Sequence, residues 1–349
     1  MTSGKDKSNR YFLTSLTRIT DFADCDFEVR EIDRSNWGHA DYIAVRVTGQ
    51  PSALYKIEIA NGRMVDMMEG DRVIGALGKR AATLEGVGDW QAVGDDGRMH
   101  ALTGAGLFGK ATSTSLLLPQ LMSLTYEGHV LRDGNKQTMR DYIAPVAETE
   151  FSAPVILMVG TSMSAGKTTA GRVIVHELRN MGLRVVGAKL TGAGRYRDTL
   201  SFGDAGAEAI LDFVDAGLPS TVVSEKRFAE AMRYMLSRIA VISPDVVLAE
   251  AGASPLEPYN GAVAIDELSE HLVFVVLCAS DPYAAVGVQN AFSLRPNLIT
   301  GPATNTTAGI ELAEKLTELP ALNLMDPRSL PGLRELLRAA LASTTRDKA

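Results

Sequence analysis

The residues with the clearest chemistry lie in one short run, Gly160-Thr161-Ser162-Met163-Ser164-Ala165-Gly166-Lys167-Thr168. Small residues and glycines let consecutive backbone N–H groups turn toward one point. A helix beginning at the end of such a loop adds its positive pole, so the arrangement suits a polyphosphate. Lys167 supplies a compact positive charge for the β and γ phosphates, and the Thr168 hydroxyl is a ligand for Mg²⁺. With Thr169, the residues from Gly160 to Thr168 form the candidate nucleotide contacts. Five residues separate Gly160 from Gly166, one more than the usual four between the glycines of this motif.

Such a loop works only between a buried strand and a helix. Val155 to Val159 is an unbroken apolar run with β-branched residues, as expected of a parallel strand covered on both faces. Thr168 to Met181 follows with helical spacing and stops at Gly182, a natural helix end. Leu183 to Ala188 reads as the next strand. Later strands are expected at Val246 to Ala249, Leu272 to Leu277, Leu298 to Thr300 and Leu322 to Met325. Helices are expected at Glu225 to Ile239, Thr307 to Leu316 and Leu330 to Leu341. Strands alternating with helices imply an α/β fold, a mostly parallel sheet wrapped by helices.

In an open sheet of this kind the ligand crevice lies at the carboxyl ends of the strands, which the segment from Thr191 to Asp198 must border. Arg195 and Arg197 are therefore candidate clamps for a substrate carboxylate or phosphate, the alternative being a solvated loop. Asp212 and Asp215, in the run Asp212 to Gly217, either cap or end a helix or have a catalytic role.

The first part of the chain has another rhythm. From Asp41 to Tyr142 short apolar runs such as Tyr42 to Val47 and Tyr55 to Ile59 alternate with turn signals. Asn61-Gly62 is a hairpin signal, because both residues tolerate the positive φ of a tight turn. The stretch Gly104 to Lys110 has the glycine spacing of a dinucleotide loop, but a bend in a β-rich domain explains it better. The proline-containing stretch from Ala144 to Pro154 separates the halves, giving a smaller β-rich domain over 1–147 and an α/β domain over 148–349.

The chain has 349 residues, enough for two ordinary domains. Its net charge of −7, with acidic and basic residues interspersed, argues against nucleic acid as a partner. Cys25 and Cys278 are far apart, and the five histidines are scattered, so neither set has metal-ligand spacing. Reduced thiols, the polar start and the lack of a long apolar run lead to the expectation of a cytoplasmic protein without membrane association.

Gly-Thr-x-x-x-x-Gly-Lys-Thr resembles the loop of P-loop NTPases related to dethiobiotin synthetase and to the nucleotide-binding domain of cobyrinic and cobyric acid synthases. Lys189 stands where dethiobiotin synthetase has a lysine after its second strand, and Glu250-Ala251-Gly252-Ala253 resembles that family's Glu-Gly-Ala-Gly segment. The likeness runs from Val155 to Asp281 and leaves the amino-terminal half without a counterpart. It implies that Lys189 stabilises the transferring phosphoryl group, that Glu250 and Asp204 join Thr168 around Mg²⁺, and that the backbone at Gly252 lies against substrate. The catalytic set is then Lys167, Lys189 and Glu250.

The function expected is activation of a carboxylate-bearing small molecule by phosphoryl transfer from ATP with Mg²⁺, as in a ligase or small-molecule kinase. No guanine-reading Asn-Lys-x-Asp occurs in the late loop Thr300 to Asn305, which favours ATP. Two other readings remain: a nucleotide-dependent switch or chaperone acting on a protein, and an acyltransferase whose loop holds coenzyme A. A homodimer is expected by analogy with related enzymes.

Overall fold

A computed structural model describes residues 11–49, 52–252, 254–292 and 294–346. The chain divides into two compact units. The first comprises Met1–Pro145 together with Ala193–Arg197 and Phe213–Val222, and the second holds the remainder. Two short segments of the 148–349 region therefore group with the first unit, which no feature of their sequence announces.

In the first unit, five strands close into a ring. Arg72–Leu77 pairs with Tyr42–Thr48, which pairs with Ser123–Arg132, then Arg98–Thr103 and Leu107–Thr114; the last returns parallel to Arg72–Leu77. Closure removes the unpaired edges that an open sheet of this size would carry. Ile43, Val45 and Val47 pack inside with Val73, Leu77, Met99, Phe108 and Leu124, whereas Arg46, one step out of phase, is exposed, as the two-residue period of a strand requires. Asn61-Gly62 turns the hairpin Lys56–Glu58 to Met64–Asp66, with Gly62 at φ 85°. Gly104 to Gly106 turns Arg98–Thr103 into Leu107–Thr114, a bend between strands as its sequence context indicates.

The second unit is a six-stranded sheet whose pairings are all parallel. Its strands are β1 Val155–Gly160, β2 Val185–Thr191, β3 Ala209–Asp212, β4 Val246–Ala251, β5 Leu272–Cys278 and β6 Leu298–Thr300. Its helices are α1 Lys167–Asn180, α2 Tyr196–Asp204, α3 Glu225–Ile242, α4 Gly261–Leu268, α5 Pro282–Phe292, α6 Thr307–Thr317 and α7 Leu330–Arg346. The strand order is β3-β2-β4-β1-β5-β6. The chain thus passes to opposite sides of β1, and the connections diverge there to leave a crevice at the carboxyl ends. Ile156, Met158, Ile174, Leu178, Leu248 and Val276 form one buried cluster with Leu333 and Leu337 of α7. The expected strand from Leu322 to Met325 does not form. Ala321 makes a single bridge to Ile299, and the chain then turns at Asn323, whose carbonyl accepts the Asp326 N–H. The segment from Thr191 to Asp198, read as a loop, ends in the first turn of α2, and Asp212 ends a strand rather than a helix.

Candidate active site

β1 delivers the loop into the crevice. All six of its residues are buried, and a Cβ on its last residue, Gly160, would lie 2.6 Å from Lys167 Nζ, so a larger residue there would push the lysine out of its present position. Lys167, the first residue of α1, folds back across the loop and donates to the Ser162 carbonyl at 2.6 Å. Burial lowers its pKa, with the nearby carboxylate of Glu250 opposing the shift. A cationic side chain held dry at the amino end of a helix is arranged for an anion, since an arriving phosphate replaces the lost hydration. Thr161 ties the other side of the loop to β5: its N–H donates to the Cys278 carbonyl at 3.0 Å, and its Oγ1 accepts the Ser280 N–H at 3.0 Å. Gly166 caps α1, Ala165 is buried, and Ser164 and Thr169 are exposed.

Three charged residues stand in one row across neighbouring strands. Lys189 on β2 is in register with Asp212 on β3 and with Glu250 on β4, and Glu250 in turn is in register with Met158 on β1. Parallel strands in register present these residues at the same height near their carboxyl ends. Lys189 Nζ also donates to Asp198 Oδ2 at 2.7 Å. Burial alone would lower the Lys189 pKa, but the Asp198 and Glu250 carboxylates outweigh it and the pKa is raised, so the amine remains an ammonium. Glu250 moves in the direction that burial dictates for a carboxylate: its pKa is raised, with Lys189 opposing. Its Oε2 lies 3.5 Å from Thr168 Oγ1. Cys278, buried at the end of β5, has its thiol pushed up to about 12 and is inert.

Of the residues expected to act here, Lys167, Thr168, Lys189 and Glu250 come together. Gly252 follows β4, its carbonyl accepting Thr191 Oγ1 at 3.0 Å. Asp204 does not join them. It is the exposed last residue of α2, six positions beyond Asp198, or roughly 9 Å along a helix axis. Asp198 is the carboxylate that α2 contributes. Arg195 and Arg197 are exposed and lie in a segment belonging to the first unit. Sequence reasoning missed Asp198 altogether, since its role depends on a helix beginning at Tyr196. It named Asp212 without its place beside Lys189, which follows from strand register.

Among the described residues, no group of three His, Cys, Asp or Glu side chains could hold a metal ion by itself. Thr168 and Glu250 nevertheless fit Mg²⁺, which takes few protein ligands and completes its shell with phosphate oxygens and water. Among the same residues, no helix is long and apolar enough to cross a membrane.

The strand order around β1, the loop after it and the buried lysine at the start of α1 define a P-loop NTPase fold, preceded by a β-rich unit. No protein-family model matches the chain, and no curated protein matches it. Solved structures similar to it include chloroplast FtsY from Physcomitrella patens, at 14% identity and a TM-score of 0.36 over 51% of this chain and 59% of that one. A DUF1611 family protein from Anabaena variabilis matches at 15% identity and a TM-score of 0.39 over 59% and 64% of the two chains. HypB from Helicobacter pylori, solved in complex with nickel, matches at 15% identity and a TM-score of 0.37 over 55% and 89%. The chain thus spans about three fifths of the FtsY and DUF1611 structures. The resemblance to dethiobiotin synthetase is not carried by these matches.

Proposed function

We propose that this protein binds a magnesium nucleotide, ATP in preference to GTP, and transfers its γ-phosphoryl group to an oxygen of a small carboxylate-bearing acceptor. The observation that carries this reading is Lys189: a second buried ammonium, in register with Glu250 on the strand beside the phosphate loop. Holding a nucleotide needs the loop and Lys167. A further cation in the same crevice, kept charged by Asp198 at the expense of its own hydration, is suited to negative charge that grows during a reaction. Mg²⁺, when bound at Thr168 and Glu250, neutralises and orients the phosphate oxygens.

In the transfer, the acceptor oxygen forms a bond to the γ phosphorus as the bond from that phosphorus to the β–γ bridging oxygen breaks, and ADP leaves with the electron pair. Lys167 follows the charge on the phosphates. Lys189 neutralises the transferring group and the acceptor carboxylate together. Attack on the resulting acyl phosphate by an amine, with release of inorganic phosphate and a proton, would make the protein a ligase; release of the acyl phosphate would make it a kinase.

Thermal-shift measurements with ATP, GTP and acetyl-coenzyme A, each with and without Mg²⁺, test the reading. The expected result is a rise in melting temperature with ATP that requires Mg²⁺ and is lost in Lys167→Ala. Stabilisation by acetyl-coenzyme A alone would refute it in favour of acyl transfer, and hydrolysis accelerated only by a protein partner would refute it in favour of a switch.

A further inference from the structure

The side chain before α2 is of a kind that cannot cap it. A helix leaves its first N–H groups without partners of its own, and the preceding side chain commonly accepts from one of them. Arg195 stands in that place, and a guanidinium carries only donors. The acceptor comes instead from a residue 138 positions earlier in the chain. Glu58, at the end of the hairpin strand Lys56–Glu58, takes the Tyr196 N–H on Oε2 and the Arg197 N–H on Oε1, both at 2.8 Å. One buried carboxylate thus spans the first two N–H groups of α2, where the positive end of a helix favours an anion.

The segment that leads into α2 is fixed as well. Gly194 N–H donates to the Pro219 carbonyl at 3.0 Å, and a Cβ on Gly194 would lie 2.5 Å from Leu16 Cδ2. The Arg18 guanidinium lies 4.5 Å from the Tyr196 ring centroid and 3.0 Å from Asp215. All of these residues, up to Arg197, belong to the first unit, and Asp198, the next in the chain, belongs to the second. Asp198 lies in the first turn of α2 and accepts from Lys189 Nζ at 2.7 Å. A capped first turn fixes the backbone at Asp198, whereas helix ends without a cap fray.

We propose that Glu58 is a positioning residue for the phosphoryl transfer: by holding the first turn of α2 it sets the Asp198 carboxylate against Lys189, so that turnover at the phosphate loop depends on a side chain of the β-rich unit. The role rests on the function proposed above. Glu58 acts only through Asp198 and Lys189, so its loss slows the transfer and leaves nucleotide binding, which belongs to the loop and Lys167, in place.

Phosphate release at saturating ATP and Mg²⁺, and ATP affinity by isothermal titration, are measured on the full chain as wild type, Lys189→Ala, Asp198→Asn, Glu58→Gln, the double variant of the last two, and Ser15→Ala. Glu58→Gln is expected to lower kcat about tenfold or more while ATP affinity changes less than about threefold. In the double variant kcat falls no more than about twofold below that of Asp198→Asn, because both changes act on one contact. Ser15→Ala removes the hydroxyl donor to Glu58 and leaves the bonds to α2, so it lowers stability but keeps kcat within about twofold of wild type. If circular dichroism of Glu58→Gln differs from wild type, Glu58→Asp, which keeps the carboxylate on a shorter arm, takes its place with kcat expected to fall about threefold or more. Wild type without turnover, or full turnover in Lys189→Ala, refutes the function proposed for the loop and the role of Glu58 with it. With those two as expected, full kcat in the folded Glu58 variant, losses that multiply in the double variant, or an equal loss in Ser15→Ala overturns the role of Glu58 alone.

Discussion

Two buried glutamates show how differently the two units use charge. Glu58, in the β-rich unit, is 1% exposed and fully supplied with donors: the Ser15 hydroxyl and the backbone N–H groups of Tyr196 and Arg197, the last two at 2.8 Å. Glu250, in the parallel sheet, is 3% exposed, yet its nearest hydroxyl, that of Thr168, is 3.5 Å away and burial raises its pKa. A buried carboxylate with three donors holds a structure together; one with a single long hydroxyl contact beside two lysines fits the metal-binding role proposed for it. Asp41, in the β-rich unit, is supplied with donors like Glu58: it accepts from Gly38 N–H at 2.6 Å and from Lys136 Nζ at 2.8 Å.

The largest effects are expected at the lysines. Lys167→Ala should reduce ATP hydrolysis by about a thousandfold or more, and should raise the melting temperature, because a buried cation whose pKa is depressed stabilises the fold less than an apolar residue does. Lys189→Ala should lower hydrolysis at saturating nucleotide about a hundredfold, or about 2.7 kcal/mol of transition-state stabilisation, and change nucleotide affinity less than threefold. Equal losses in affinity and rate would make Lys189 a binding residue only.

Next come the glutamates themselves. Glu58→Gln should lower stability by about 1–3 kcal/mol in urea denaturation, since a neutral amide offers one acceptor oxygen where the carboxylate offers two. Glu250→Gln should leave stability unchanged or slightly higher but remove most Mg²⁺-dependent hydrolysis. A Glu250 variant that melts early and still turns over would reverse the assignment of the two residues.

The smallest effect is on pH dependence. A carboxylate whose folded pKa lies above 4.5 takes up its proton earlier as pH falls, so the Mg²⁺ concentration for half-maximal hydrolysis should begin to rise at a pH above 4.5. The sign for stability is opposite. The folded state holds this proton more firmly than the unfolded chain, so Glu250's contribution to stability is greatest in acid and declines as pH rises through its folded pKa. Measuring the Mg²⁺ requirement and the melting temperature of wild type and Glu250→Gln over the same pH range separates the two effects, the Mg²⁺ requirement rising as pH falls while Glu250's contribution to stability grows.

The sequence made β1, the loop and α1 legible because a continuous apolar run, Gly-Lys-Thr and a helical period meet within thirty residues, each with a local physical cause. Lys189 and Glu250 were found through resemblance at strand ends. Register then supplied what no local pattern could: Asp212 beside Lys189 follows from pairing between strands that are apart in the chain. Asp198 was hidden because Gly192 and Gly194 made its surroundings read as loop, whereas α2 begins at Tyr196. The error at Leu322 to Met325 has a simple cause, an apolar pair mistaken for a strand where turn residues follow at once. The closed barrel was equally out of reach, since the parallel return of Leu107–Thr114 to Arg72–Leu77 is a long-range pairing with no signature in either strand.

In the proposed function, Lys167 and the loop around it close on the triphosphate of a magnesium nucleotide. Isothermal titration of ATP with Mg²⁺ into wild type and into Lys167→Ala tests this directly. Saturable one-to-one binding to wild type is expected, at least a hundredfold weaker in a folded Lys167→Ala. Binding of equal strength to both, or no binding to either, would contradict it.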